Sequence, residues 1–105
     1  MKMSEFQRKA RKTAVYPKDT FKGLYYVAMG LAGEAGEVAN KVKKHIRDGV
    51  INYDDVAGEL GDVLWYVSQM ASELGYDLST IAENNIDKLY SRLERGVVQG
   101  EGDKR

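Results

Sequence analysis

Residues 24–46 read LYYVAMGLAGEAGEVANKVKKHI, with apolar side chains at Leu24, Val27, Leu31, Ala35, Val38, Val42 and Ile46. The steps are 3, 4, 4, 3, 4 and 4, which place all seven on one stripe of an α-helix. The spacing predicts a helix over about Thr20 to Arg47, stopped by Asp48-Gly49, where glycine suits a left-handed C-cap. Unbroken, it would be about 40 Å long at 1.5 Å per residue, and a break at its glycines is the alternative.

The same period recurs downstream. Val56, Leu60, Val63, Val67, Met70 and Leu74 predict a helix over about Asp54 to Leu74, capped by Asn52 or Asp54 and closed by Gly75. A third segment runs from about Leu78 to Arg95, with Asp77 or Ser79 as cap and Gly96 as stop. Upstream, Ser4 to Val15 reads as a helix with Ser4 as cap, ending near Tyr16-Pro17, because the residue before proline avoids helical backbone. Strand-type alternation is absent. Short connections between long helices imply antiparallel neighbours, so the expected fold is an all-α four-helix bundle. Residues 1–18 form its N-terminal helix and turn, 19–96 the helical core, and 97–105 a polar tail.

Composition removes several functions. At 105 residues and 11.8 kDa the chain is one domain with a small core of its own, of a size often completed by oligomerisation. Its 16 basic and 16 acidic residues balance. Without a basic excess, nucleic acid is not an expected partner. The absence of cysteine excludes disulfides, thiolate metal sites and Cys nucleophiles, and it suits the cytoplasm. One histidine, His45, does not furnish a triad or a multi-His metal site, and its place in a last helical turn is that of a dipole partner. Nothing approaches the roughly 20 apolar residues that cross a bilayer, and Met1-Lys2-Met3-Ser4-Glu5 has no apolar core of a signal peptide.

The chemistry concentrates in two matching motifs, Gly33-Glu34-Ala35-Gly36-Glu37 and Gly58-Glu59-Leu60-Gly61-Asp62, offset by 25 residues. Each has two acids at i and i+3, on one helical face. An antiparallel hairpin brings the pairs together as Glu34, Glu37, Glu59 and Asp62. Converging carboxylates repel, and gathering them is costly unless a cation neutralises them. Oxygen-only ligands favour a hard ion such as Mg2+ or Mn2+. Gly30, Gly33, Gly36, Gly58 and Gly61 lie inside predicted helices at roughly 0.8–1 kcal/mol each, so close helix approach or room for a ligand must offset about 4–5 kcal/mol. Taken singly, an acid pair at i, i+3 is ordinary on a solvated face, and Glu37 has Lys41 at i+4 as a surface partner.

In the last helix Asn85, Lys88 and Arg92 share a face. Facing the same cavity they would hold phosphate oxygens, Arg by its fork and Lys as a point charge. The alternative is a solvated face. Lys41 and Lys44 continue the acid-bearing stripe and either meet phosphate or balance local charge. Trp65 and Tyr66, one turn beyond Asp62, read as core aromatics or as a base-stacking surface.

These residues resemble the MazG-like nucleotide pyrophosphohydrolases, of the all-α nucleoside triphosphate pyrophosphatases. The resemblance rests on Glu34-x-x-Glu37 with Glu59-x-x-Asp62, on Gly61-Asp62-Val63-Leu64-Trp65-Tyr66, and on Asn85-x-x-Lys88-Leu89-x-x-Arg92, and covers residues 20–96. It implies a MazG-like bundle assembled as a homodimer or homotetramer. It implies Mg2+ (or Mn2+) held by the catalytic acids Glu34, Glu37, Glu59 and Asp62, one of which orients the attacking water instead. It implies substrate binding by Asn85, Lys88 and Arg92, to which the stripe position of Lys41 adds a further candidate, and hydrolysis of a nucleoside triphosphate to the monophosphate and pyrophosphate. The family pattern often has a doubled acid opening each motif, whereas this chain has Gly33 and Gly58 there, leaving fewer acids for extra metal ions or water activation. The competing expectations are a related phosphohydrolase of a non-standard nucleotide and a non-catalytic oligomerisation or regulatory module of the same fold. A carboxylate di-iron bundle is weaker, since its Glu-x-x-His pairs are missing.

Overall fold

In the computed structural model, which describes residues 1–105, four helices form in the order α1 (Met3–Arg11), α2 (Lys22–Asp48), α3 (Tyr53–Leu74) and α4 (Leu78–Arg95), with no strand. The stop signals act as the sequence predicts. Gly49, Gly75 and Gly96 take φ of 78°, 78° and 70°, a left-handed backbone that glycine adopts without steric cost. After α3, Tyr76 N–H donates to the Ala71 carbonyl at 2.9 Å and Gly75 N–H to that of Ser72 at 3.1 Å, so two otherwise unpaired carbonyls are satisfied. Asn52 starts α3, its side-chain oxygen accepting from the Asp55 N–H at 3.1 Å. α2 runs unbroken through its glycines.

Three helix ends differ from expectation. α1 begins on Lys2 as N-cap, with Ser4 inside the helix, and stops at Arg11 rather than near Val15. The chain leaves the helix early because Ala14 and Tyr16 are buried elsewhere, each only 6% exposed, and their burial outweighs the propensity of residues 12–15. At α4, Asp77 holds the N-cap position but its side chain bonds nothing there. The Gln7 side-chain oxygen accepts from the Leu78 N–H at 2.8 Å, so a residue of α1 caps α4.

α2 and α3 pair as an antiparallel hairpin. Gly23 faces Glu73 and, nearer the turn, Gly30 faces Tyr66. A Cβ at Gly30 would overlap the Tyr66 ring, so this glycine is what lets the helices approach. Around this crossing lies the core of Ala14, Tyr16 and Val27, packed by Trp65, Tyr66 and Met70. Tyr16 stacks on Tyr26 at 5.1 Å between ring centres, and Trp65 stands edge-on to Tyr16 and Tyr66. The Trp65 N–H donates to Thr13 Oγ1 at 2.8 Å, fastening the post-α1 segment to α3. Both aromatics of the α3 motif are thus core residues.

A polar clamp holds α1 to α3. The Arg11 guanidinium donates to Glu73 at 2.8 Å, to Gln69 at 2.8 Å and to the Tyr16 hydroxyl at 2.6 Å. The Tyr16 hydroxyl donates to Glu73 at 2.8 Å, and buried Gln69 donates to the Ala10 carbonyl at 2.9 Å. Because each of these groups has partners, the polar burial is compensated.

α4 packs on α1 and α3 and makes no contact with α2, so the single chain is an open arrangement. Its radius of gyration is 16.4 Å, against about 13 Å for a closed domain of this length. Only 10 of 105 residues are buried, while Met29, Ile46, Leu60, Ile86, Tyr90 and Leu93 are exposed apolar side chains. No helix is long and apolar enough to cross a membrane.

Candidate functional site

The hairpin brings one carboxylate of α2 against two of α3. One oxygen from each of Glu34, Glu59 and Asp62 lies within 4.8 Å of the others. Glu34 and Glu59 are half-buried between the helices and Asp62 is exposed. Every ion pair of the molecule involves other acids, so this cluster carries its negative charge without an internal cation. The Glu34 carboxyl is pushed above its ordinary range, first by burial, then by the charge of Asp62, a hydrogen bond with Glu59 and the more distant charge of Glu37. These are the signs of a site whose acids repel one another. Three converging oxygen donors with no nitrogen or sulfur suit a hard divalent cation.

Glu37 is exposed and lies outside the three-acid cluster. Three residues of helix turn the side chain about 60° from its predecessor, so Glu34 faces α3 while Glu37 flanks the contact. Around the acids the helices are bare. A Cβ at Gly33, Gly36, Gly58 or Gly61 would meet no atom within 4 Å. The four glycines keep the surface beside the carboxylates free, while Gly30, one turn before Glu34, is spent on admitting Tyr66. The Tyr66 hydroxyl is pushed up, mainly by burial and then by Tyr26, with Glu34 and Asp62 adding to it.

Lys41 lies two turns beyond Glu34, about 10 Å along α2. With Lys44, Asp48, Val50, Asn52 and Asp55 it lines a cleft of about 180 Å³ at the closed end of the hairpin. His45 is exposed in the last turn of α2. Asn85, Lys88 and Arg92 lie on α4, which a single chain does not bring to α2. Asn85 is exposed, whereas Lys88 and Arg92 both bind Asp103 of the C-terminal tail. The tail therefore folds back on α4 rather than extending from it.

Sequence reasoning did not anticipate the Arg11–Tyr16–Glu73 clamp. Its signal lay in α3, where Gln69 and Glu73 fall on the same stripe as Tyr66 and Met70, two polar groups on a buried line that need partners. Burial alone would raise the Glu73 carboxyl, but hydrogen bonds from Tyr16 and Arg11 outweigh it and hold it below its ordinary range. The Tyr16 hydroxyl is pushed up to about 12, by burial and by its bond to Glu73.

No solved structure matches the chain. "Gene 37 protein" of Mycobacterium phage L5 is 54% identical over 114 aligned positions that span the whole of both chains. The family model of the MazG nucleotide pyrophosphohydrolase domain matches residues 25–97, which hold both acidic motifs and all of α3 and α4. On that match the chain belongs to the MazG nucleotide pyrophosphohydrolase family.

Proposed function

We propose that the protein is a divalent-metal-dependent nucleoside triphosphate pyrophosphohydrolase, with its metal seat at Glu34, Glu59 and Asp62. The observation that carries this reading is the convergence of those three carboxylates, unpaired by any cation, in a chain of this family. Their all-oxygen donor set fits Mg2+, with Mn2+ as the alternative. A bound ion would neutralise phosphate oxygens and lower the pKa of a coordinated water.

The chain's own residues would divide the remaining work. Glu37, beside the cluster and itself unpaired, either completes the ligand set or accepts the proton of the attacking water. Lys41 reaches phosphate from the closed end of the hairpin. Asn85, Lys88 and Arg92 bind phosphate or sugar from α4, and the exposed apolar surface of the hairpin and α4 is closed by a second copy of the chain. The bond cleaved is that between the α and β phosphates. A second reading, a non-catalytic module of the same fold, draws on Gly33 and Gly58, which stand where the family pattern that the sequence resembles often has a further acid.

The test is turnover across canonical and modified triphosphates with Mg2+ or Mn2+, identifying the products. Monophosphate and pyrophosphate are expected. Orthophosphate alone, or no product from a broad panel, overturns the reading. Mg2+ should also raise the melting temperature, with about 2.7 kcal/mol of stabilisation at one hundred times Kd. A melting temperature indifferent to Mg2+ favours the non-catalytic module.

A further inference from the structure

The C-terminal tail is built into a loop. The Arg105 guanidinium donates to the carbonyls of Val97 at 2.9 Å, Val98 at 2.6 Å and Gly102 at 2.6 Å, and the Arg105 carbonyl accepts from Arg95 at 2.8 Å. Gly102, at φ 86°, makes the reversal. The loop delivers Asp103 onto α4. Its Oδ1 lies 2.6 Å from Lys88 Nζ and 3.4 Å from Arg92 Nη2, and its backbone carbonyl also accepts from Arg92 Nη2.

The fit is incomplete on the arginine. Arg92 is 5% exposed, yet its Nε–H is buried with no partner. A guanidinium offers Nε and Nη2 as a fork, which a two-oxygen anion fills. Asp103 serves only the Nη2 side. Its own side chain is 77% exposed, so it holds the seat from the solvent side, where ion pairs are weak. A phosphate, with several oxygens, offers acceptors for Nε, Nη2 and Lys88 together, including the donor on Arg92 that Asp103 leaves unmet.

We infer that the C-terminal tail is a self-blocking strap, in which Asp103 occupies an oxyanion seat formed by Lys88 and Arg92 and is displaced by a phosphate-bearing ligand. The inference rests on the proposed role of Lys88 and Arg92 in phosphate binding and adds a competitor carried by the same chain. The charges match: a carboxylate on two cations gives way to an anion of higher charge on the same two cations.

The test uses the full chain, with inorganic pyrophosphate as probe and divalent ions removed, so that the acids of the hairpin take no part. Calorimetry is run on the natural chain, on Asp103→Asn and on Lys88→Met, and the amide resonances of Gly100, Gly102 and Asp103 are followed during titration. Asp103→Asn should bind pyrophosphate about two- to five-fold more tightly, the gain from removing an exposed competing ion pair. Lys88→Met should bind more weakly, and the tail amides should move as the natural chain fills. Equal affinity in the natural chain and Asp103→Asn, tail resonances that ignore pyrophosphate, or no binding to any variant overturns the strap. Triphosphate turnover without tail displacement refutes the strap alone, and tail displacement without turnover refutes the hydrolase alone.

Discussion

The two ends of α3 treat their carboxylates in opposite ways. Near the C-terminal end, Glu73 is 9% exposed in its side chain and is held by Arg11 and Tyr16 at 2.8 Å each. Three to four turns away, Glu59 and Asp62 converge on Glu34 with no cation beside them. One helix therefore carries a neutralised acid that fastens α1 and a group of unneutralised acids that destabilise their own surroundings. Acids that serve only the fold acquire partners, because burial without one is costly. Acids left facing each other with no cation beside them are where the proposed function seats an ion from outside the chain.

The sharpest way to break this comparison is to neutralise one acid at each end. Asp62→Asn or Glu59→Gln should lower turnover by about two to three orders of magnitude, the several kcal/mol that metal charge supplies to a transition state. Thermal melting without metal should be unchanged or slightly higher, since a repulsion is removed. Retained activity would take these residues out of the site.

Glu73→Gln should do the reverse. It should cost about 1–3 kcal/mol of stability, through the loss of charged partners for Arg11 and Tyr16, with turnover per folded molecule preserved. Chemical denaturation reads this directly. The pH dependence gives the sign. The folded Glu73 carboxyl titrates below its ordinary value of 4.5, so its contribution is present above that pH and is lost as pH falls through the lowered value. Melting curves between pH 6 and 3 should therefore fall more steeply for the natural chain than for Glu73→Gln.

The smallest effects separate the glycines. Gly30→Ala should destabilise, because the new methyl displaces the Tyr66 ring. Gly58→Ala meets open space and should stabilise the isolated chain by about 0.5–1 kcal/mol, through helix propensity alone. A destabilising Gly58→Ala would show that another copy or a ligand fills that space.

Much of this was legible from spacing. The stripe from Leu24 to Ile46 and its counterpart from Val56 to Leu74 place α2 and α3 to within about two residues at either end, because apolar period and glycine stops act locally. The meeting of Glu34 with Glu59 and Asp62 followed from i, i+3 geometry and an antiparallel turn. The rest depends on contacts far apart in the chain. The early end of α1 reflects the burial of Ala14 and Tyr16 against α2 and α3, which the helix formers Arg11 and Lys12 do not foretell. The place of Glu37 depends on the rotation of α2 about its axis. The pairing of Asp103 with Lys88 and Arg92 arises from a glycine-containing tail with no period to read.

Trp65 is the single indole of the chain, and it stands between Tyr16 and Tyr66 with its N–H on Thr13. It thus touches the segment that α1 fastens in place and sits one turn from Asp62. Its ultraviolet emission is a native optical gauge, free of any attached dye: loosening of the N-terminal segment would expose the indole and redden its light. Readings taken while the acid end is titrated would then reveal whether events there are felt on the other side of the hairpin.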